Sequence, residues 1–153
     1  MHGRRVIAAI VDQVTGPVHF ILYVRDQVAA AAFWQAVLDC PPALDVPGMT
    51  EFALGAQVVL GLMPETGIRS LLGPSLPDPA AARGIPRAEI YLVVEDAAGY
   101  HARAQAAGAI ELSPLTRRSW GDDAAYCLDP DGHVVAFATR PTSERGLTGR
   151  STP

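Results

Sequence analysis

The sequence predicts an α+β fold: two tandem βαβββ modules whose curved, mostly antiparallel sheets carry their helices on the outer face. The segments His19-Phe-Ile-Leu-Tyr-Val-Arg-Asp26 and Glu89-Ile-Tyr-Leu-Val-Val-Glu-Asp96 lie 70 residues apart and share one pattern. Each is a strand-like run that closes on an Asp and precedes an Ala-rich segment of helical character. Three shorter strand signals follow each helix, so the chain contains two tandem copies of one structural unit.

The repeat sets the expected domain boundaries. The 153 residues, 49% of them hydrophobic and 18% charged, suit a globular chain of about one domain that can bury a core. The predicted parts are an N-terminal extension (1–16), the first module (17–63), a Pro/Gly-rich connection (64–86), the second module (87–140) and a C-terminal tail (141–153). The connection is long for a loop inside a domain, which indicates a linker that partly packs or a loop that covers a site.

Alternation along the first strand of each module separates two faces. One face is apolar and is expected to lie under a helix. Its members are Phe20, Leu22 and Val24 in the first module and Ile90, Leu92 and Val94 in the second. The other face carries His19, Ile21 and Tyr23, or Glu89, Tyr91 and Val93. These mixed faces are expected to look into a cavity.

Asp26 and Asp96 stand where helix N-caps belong, because their carboxylates can accept hydrogen bonds from the free N–H groups of a first turn. The first helix is predicted to end near Leu38, with Trp34 in the core. The second is predicted to end near Ala107, with Gly108 supplying a left-handed cap. His101 is assigned to the outer side of this helix, without a chemical role.

The later strands are predicted at 42–46, 50–54 and 57–63 in the first module, and at 109–113, 123–128 and 133–139 in the second. The clearest turn is Asp129-Pro-Asp-Gly132, which has Pro where a turn is preset and Gly where a positive φ is needed. His133 beside this turn is given no chemical role. Asp122 and Asp123 are interpreted mainly as a solvated turn.

Composition argues against several classes of partner and location. A net charge of −4 with no Lys/Arg stripe argues against nucleic acid, and no stretch is long and apolar enough to span a membrane. Cys40 and Cys127 are too few for a disulfide framework and are expected to be buried thiols. The apolar run after Arg4-Arg5 breaks at Asp12 without a cleavage site, so a cytoplasmic protein is expected.

The chain resembles the vicinal oxygen chelate superfamily, which contains glyoxalase I, extradiol dioxygenases, fosfomycin-resistance enzymes and bleomycin-resistance proteins. The resemblance covers about residues 17–140. It rests on the duplicated module, on His19 seven residues before Asp26, and on the segments Phe33 to Leu38, Ser119-Trp-Gly121 and Asp129 to Gly132. It implies paired βαβββ modules that enclose a small-molecule site.

In metal-using members of that superfamily, the first and last strands of each module supply the four ligands. The resemblance places His19, Gly61, Glu89 and Ala136 at those positions. Gly and Ala have no coordinating side chain, whereas catalytic metal sites normally keep three protein ligands. No cofactor is therefore expected. A divalent metal held by His19 and Glu89 with an added ligand, such as Glu51 or Asp123, is the alternative.

Six residues are the candidate ligand-binding set: His19, Tyr23, Glu89, Tyr91, Trp120 and Tyr126. Aromatic walls with a few acids suit planar or cationic molecules. Core packing explains any single aromatic equally well. If the modules face one another, His19 and Glu89 could pair, and that pair could be purely structural or could act as a general base.

The resemblance is closest to the bleomycin-resistance branch, whose members bind a drug between subunits without a metal of their own. The first hypothesis is therefore a protein that sequesters a small molecule, with His19 and Glu89 as its only candidate catalytic residues. The second is a metal-dependent lyase, isomerase or dioxygenase, and the third is a simple interaction module. A homodimer is expected, because open sheets leave edges that need covering.

Overall fold

A computed structural model describes residues 14–141, and within them each predicted module forms its own four-stranded sheet. Most of the predicted N-terminal extension (1–16) and C-terminal tail (141–153) lies outside the described residues. The first module comprises β1 (Val18–Val24), α1 (Gln27–Leu38), β2 (Leu44–Val46), β3 (Met49–Ala53) and β4 (Val58–Pro64). The second comprises β5 (Glu89–Val93), α3 (Ala97–Ala106), β6 (Ile110–Arg117), β7 (Asp123–Leu128) and β8 (Val134–Thr139). The connection contains α2 (Glu65–Leu72) and two short 3₁₀ turns.

The two sheets share one topology. Their strand orders are β1-β4-β3-β2 and β5-β8-β7-β6, so the first and last strands of each module lie side by side. That pair is parallel in each sheet, and the other neighbours are antiparallel. The predicted α+β fold with two βαβββ modules is confirmed.

Both predicted N-caps are present. Asp26 accepts a hydrogen bond from the backbone N of Ala29 at 3.0 Å, and Asp96 accepts one from Gly99 at 2.9 Å. The first helix ends at Leu38 as predicted, and the second ends one residue earlier than predicted. Gly108 follows it with a φ of 107°, which ends the helix in the left-handed region.

Each helix covers one face of its own sheet. Helix α1 buries Phe33, Trp34 and Val37, and the predicted core position of Trp34 is confirmed. Helix α3 packs on β7 and β8. The two helices also touch each other, since Arg103 donates to the backbone oxygen of Val37 at 3.2 Å. The core therefore continues from one module into the other.

The prediction for the apolar, helix-covered face of β1 is wrong at one position. Leu22 and Val24 pack against the core, but Phe20 is 60% exposed. β1 is an edge strand, and only its C-terminal end, which leads into α1, packs under the helix. In the second module, Ile90, Leu92 and Val94 all pack against the core as predicted.

Two predictions about single side chains are also wrong. Cys40 is exposed, because the chain leaves the helix through a left-handed Asp39 with a φ of 50°. Cys127 is buried as expected, and burial raises the pKa of its thiol to about 11. His101 is buried rather than on the outer side, because α3 turns it toward β6, where its Nε2 lies 2.8 Å from Glu111 Oε2.

The turn between β7 and β8 is held by one carboxylate. Asp129 Oδ1 accepts from the backbone N of Asp131 and of His133, and its Oδ2 lies 2.8 Å from His133 Nδ1. Burial lowers the pKa of His133, but the hydrogen bond and charge of Asp129 outweigh burial, so the pKa is raised. Gly132 has the predicted positive φ, 88°.

The connection between the modules is more ordered than its composition indicates. Helix α2 begins directly after β4, and its Ile68 is buried. Glu65 in the first turn complements the helix dipole, and Gly73 with a φ of 73° ends the helix. Among residues 14–141 no helix is long and apolar enough to cross a bilayer, and the longest has 12 residues.

Candidate functional site

Strand register places three candidate positions in one row across the second sheet. Tyr91 on β5 lies opposite Ala136 on β8, which lies opposite Tyr126 on β7. Residues directly opposite one another point to the same side of a sheet. Helix α3 covers the other side, where Phe137 packs against Tyr100 with ring centroids 5.7 Å apart. We call the side with Tyr91, Ala136 and Tyr126 the open face of the second sheet.

A chain of hydrogen bonds fixes two aromatic side chains on this open face. Trp120 Nε1 donates to the Tyr91 hydroxyl at 2.9 Å, and that hydroxyl donates to Asp122 Oδ2 at 2.7 Å. Burial and the hydrogen bond with Asp122 raise the pKa of Tyr91. The hydroxyl of Tyr91 therefore keeps its proton at neutral pH and can donate it to Asp122 in a hydrogen bond. The Trp120 side chain is thereby held in one place while the residue remains 52% exposed.

Arg118 supports the next part of the open face. Its guanidinium lies 5.2 Å from the centroid of the Tyr126 ring and donates to the Ser113 hydroxyl at 2.8 Å. It also donates to the backbone oxygen of Ala124. These bonds tie β6 to β7 beside Tyr126, where the register of the two strands is irregular. The aromatic residues of the second sheet therefore rest on fixed polar supports.

The first sheet places His19 beside a different acid from the one expected. His19 Nδ1 lies 3.6 Å from Glu51 Oε1, whereas Glu89 forms no ion pair within the described part of the chain. Glu51 lies on β3, opposite Gly61 in the sheet register. The pair with Glu51 therefore belongs to the first module alone.

The positions that resemble metal ligands do not fit a metal in this chain. A Cβ on Gly61 would lie 3.0 Å from Ile21 Cγ1 and 3.3 Å from Met49 Sδ, so these side chains already fill the space a ligand would need. Ala136 is fully buried between Tyr91 and Tyr126 in its row. Asp123, the other suggested extra ligand, is ion-paired with Arg117. Residues 14–141 contain no cluster of three His, Cys, Asp or Glu side chains that could hold a metal.

The six predicted ligand-binding residues occupy three places. Tyr91, Trp120 and Tyr126 share the open face of the second sheet, and His19 stands with Glu51 on the first. Tyr23 and Glu89 line a cavity of about 300 Å³ where the two modules meet. Glu89 also points to the side of the open face, since it stands two residues before Tyr91 on β5. Burial, and then the charge of Glu89, raise the pKa of Tyr126. The structure thus brings together three of the six residues in one group and two in another.

Sequence reasoning misses the acid that organises the aromatic group. The sequence predicts a solvated turn at Asp122, but this residue is buried, accepts from Tyr91 and lies 3.6 Å from the Arg140 guanidinium. Its position in a Gly-Asp-Asp sequence is typical of an exposed turn. Only the register of β5 beside β8 brings Tyr91 within reach, and the local sequence carries no signal of that contact.

Comparison with known proteins agrees with this architecture. The family model of the Glyoxalase/Bleomycin resistance protein/Dioxygenase superfamily matches residues 16–137. The chain therefore belongs to that superfamily. No curated protein matches the chain closely enough to assign it a more specific activity.

Solved structures with the same fold include several members of this group. A glyoxalase-related enzyme from Fulvimarina pelagi is 22% identical, with a TM-score of 0.71, and the match covers 92% of this chain and 99% of that one. A glyoxalase/bleomycin resistance protein/dioxygenase from Nocardioides is 22% identical, with a TM-score of 0.60 and coverage of 92% and 93%. At such identities these likenesses establish the fold.

Proposed function

We propose that the protein binds a planar aromatic molecule, neutral or cationic, and sequesters it without chemistry, in the manner of the bleomycin-resistance branch. The observation that carries this proposal is the hydrogen-bonded chain from Trp120 through Tyr91 to Asp122. It holds an exposed indole ring in a fixed orientation beside a buried carboxylate. The proposal places the protein in the cytoplasm, with neither nucleic acid nor membrane as its partner.

The physical case rests on preorganisation. A fixed aromatic ring loses little conformational entropy when a ligand stacks on it, so more of the contact energy remains as affinity. Cations are attracted to the face of an indole or phenol ring, most strongly to Trp. Trp120, Tyr91 and Tyr126 supply such surfaces on one side of one sheet.

A homodimer is part of the proposal, because the side of each sheet away from its helix exposes large apolar residues. The exposed set on or beside these faces includes Ile21, Tyr23, Leu44, Val46, Val93, Ile110 and Trp120. A second copy placed over these faces would cover them and close a cavity around the ligand. The outer strands β2 and β6 also leave sheet edges that a partner can cover.

Light scattering tests the dimer. We expect a mass twice the chain mass of 16.2 kDa at micromolar concentration. Ile110→Glu places a charge on β6 beside the open face and should shift the protein toward monomer, since a buried unpaired charge is costly. Val28→Glu is the matched control, because Val28 is 81% exposed on α1. A monomeric wild-type protein, or equal dissociation of both variants, contradicts the dimer.

The metal-dependent alternative has one observation in its favour, the 3.6 Å approach of His19 to Glu51. Two side chains are fewer than the three protein ligands that a catalytic site normally keeps, and Ile21 and Met49 fill the space beside Gly61. Metal analysis of protein purified without chelator separates the two functions. Stoichiometric metal that is lost in His19→Ala would replace our proposal with this alternative.

Titration with 9-aminoacridine, a planar aromatic cation, tests the binding site directly. Trp120 is one of two tryptophans and the other, Trp34, is fully buried, so quenching of exposed tryptophan emission reports on Trp120. We expect saturable quenching and a raised Tm, whereas cyclohexylamine, a cation without a planar ring, should produce neither. Trp120→Ala should weaken binding at least about tenfold, a loss of roughly 1.4 kcal/mol.

Phe20→Ala is the matched control for that titration. Phe20 is 60% exposed but lies on the first sheet, on the side away from His19, so its removal should leave 9-aminoacridine affinity unchanged. In Trp120→Ala, affinity is measured by calorimetry because the reporter is gone. Equal losses in the two variants, or no saturable binding to wild type, would reject the open face as the site.

A further inference from the structure

The two modules enclose a second cavity, which lies beyond Tyr91 at the end of the open face where Glu89 stands. It has a volume of about 300 Å³, which is at the small end for ligand sites. Its walls include Tyr23 on β1, Glu89 on β5 and His133 directly before β8. The connection supplies a further part of the wall through residues 84–88. We call this space the seam cavity.

The wall that the connection supplies is anchored to the second module. Gly84 of the connection packs directly on Gly132 of the β7–β8 turn, so closely that a Cβ on Gly132 would lie 2.7 Å from the Gly84 oxygen. Arg25 crosses from the first module to the same turn, donating to Asp131 Oδ1 from its backbone N and its Nε and to the Pro130 oxygen. The Gly84 contact fixes the connection to this turn, and the Arg25 contacts fix the first module to the same turn.

The charges of the seam cavity are unbalanced. Three acids line it, Glu65, Glu89 and Asp131, against Arg87 and His133 as basic side chains. Asp131 is already paired with Arg25, whereas neither Glu65 nor Glu89 forms an ion pair with any residue from 14 to 141. Burial, and then the charge of Asp131, raise the pKa of Glu65. The charges of Arg25 and His133 act in the opposite direction from farther away. Glu65 is thus a half-buried acid in the cavity lining without a direct ion-pair partner among residues 14–141.

The rest of the lining is apolar, with Ile21, Leu22, Ile85 and Ile90 among its members. A molecule that fits such a lining carries one positive head group and a short hydrocarbon chain. The positive head group would pair with the Glu65 carboxylate, and the hydrocarbon part of the molecule would pack on the isoleucines. A flat polycyclic ligand requires a longer aromatic wall than Tyr23 alone provides.

We propose that the seam cavity binds a small organic cation, an amine or guanidinium on a short aliphatic chain, with the Glu65 carboxylate as its anchor. The site differs from the aromatic group of Tyr91, Trp120 and Tyr126 in its anchoring residue, in its ligand class and in the module contacts that form it. Because the connection lines it, the site also gives the segment between the modules a role in binding.

Calorimetric titration with agmatine, which joins a guanidinium to an amine through four methylenes, tests the proposal on the full chain. We expect saturable binding with a Kd below about 1 mM and no binding of hexanoate, an anion of similar length. Glu65→Gln keeps the shape of the side chain and removes its charge, and should weaken agmatine binding at least about tenfold. Failure of agmatine to bind, or equal binding of hexanoate, overturns the proposal.

Two control variants test whether agmatine binds in the seam cavity and nowhere else on the protein. Glu95→Gln removes an exposed acid that does not line the seam cavity, and should leave agmatine affinity unchanged. An equal loss in Glu95→Gln would assign binding to the general negative charge of the protein and reject the seam site. Trp120→Ala should also leave agmatine affinity unchanged. A parallel loss there would place the cation on the open face, which overturns this inference and leaves the aromatic site standing.

Discussion

Replacing Gly132 by Ala should destabilise the protein by about 3–5 kcal/mol. Gly132 has a φ of 88°, and an L-residue in this region costs roughly 1–2 kcal/mol. The larger part of the loss comes from the neighbouring backbone, because the new Cβ would lie 2.7 Å from the Gly84 oxygen and 2.8 Å from its Cα. Backbone atoms cannot move aside as the end of a flexible side chain can, so the connection and the turn must separate.

Gly121→Ala is the control that isolates this contact. Gly121 has a comparable φ of 99°, but a Cβ there would meet nothing within 4 Å. We expect it to cost only the conformational part, roughly 1–2 kcal/mol. Urea unfolding followed by circular dichroism measures both variants. If the two lose the same stability, the close approach of Gly84 to Gly132 does not hold the modules together.

The sequence predicts the modules well because their determinants are local. The caps Asp26 and Asp96, the alternation along β1 and β5 and the turn at 129–132 each act over a few residues. All of them are present in the structure, except that the alternation along β1 fails at Phe20. Helix α2 is not predicted, because Gly67 interrupts it and prolines lie on both sides of it. Its stability comes from packing Ile68 against the fold, which no local pattern reveals.

The candidate site is predicted less well because its determinants are distant in sequence. Alternation predicts that the mixed faces of β1 and β5 look into a cavity. In the structure these faces belong to two different sheets, and of the six candidate residues only Tyr23 and Glu89 line the seam cavity between the modules. His19 meets Glu51 because β3 lies next to β4, a neighbour relation fixed by sheet order. Asp122 is a buried acceptor instead of a solvated turn residue for the same kind of reason.

Replacing Trp34 by Ala should be the most damaging single change in the core, with a loss of about 3–5 kcal/mol and a fall in Tm of roughly 10 °C. Trp34 is fully buried on α1, and its ring meets Phe33 edge to face at a centroid distance of 5.6 Å. Alanine would leave a cavity beneath α1, and α1 also contacts α3 of the second module. Both modules therefore lose packing from one substitution.

Trp34→Phe tests what the indole N–H contributes to stability, apart from most of the ring packing. The Nε1 of Trp34 is buried and has no hydrogen-bond partner in the described structure, and an unsatisfied buried donor costs about 1–3 kcal/mol. Phenylalanine removes that donor along with part of the ring, so the two effects oppose each other and the net loss should stay below about 1.5 kcal/mol. Thermal and urea unfolding of both variants measure the difference. A loss in Trp34→Phe close to that in Trp34→Ala would contradict the prediction, because removal of the unsatisfied donor would then give no compensating gain.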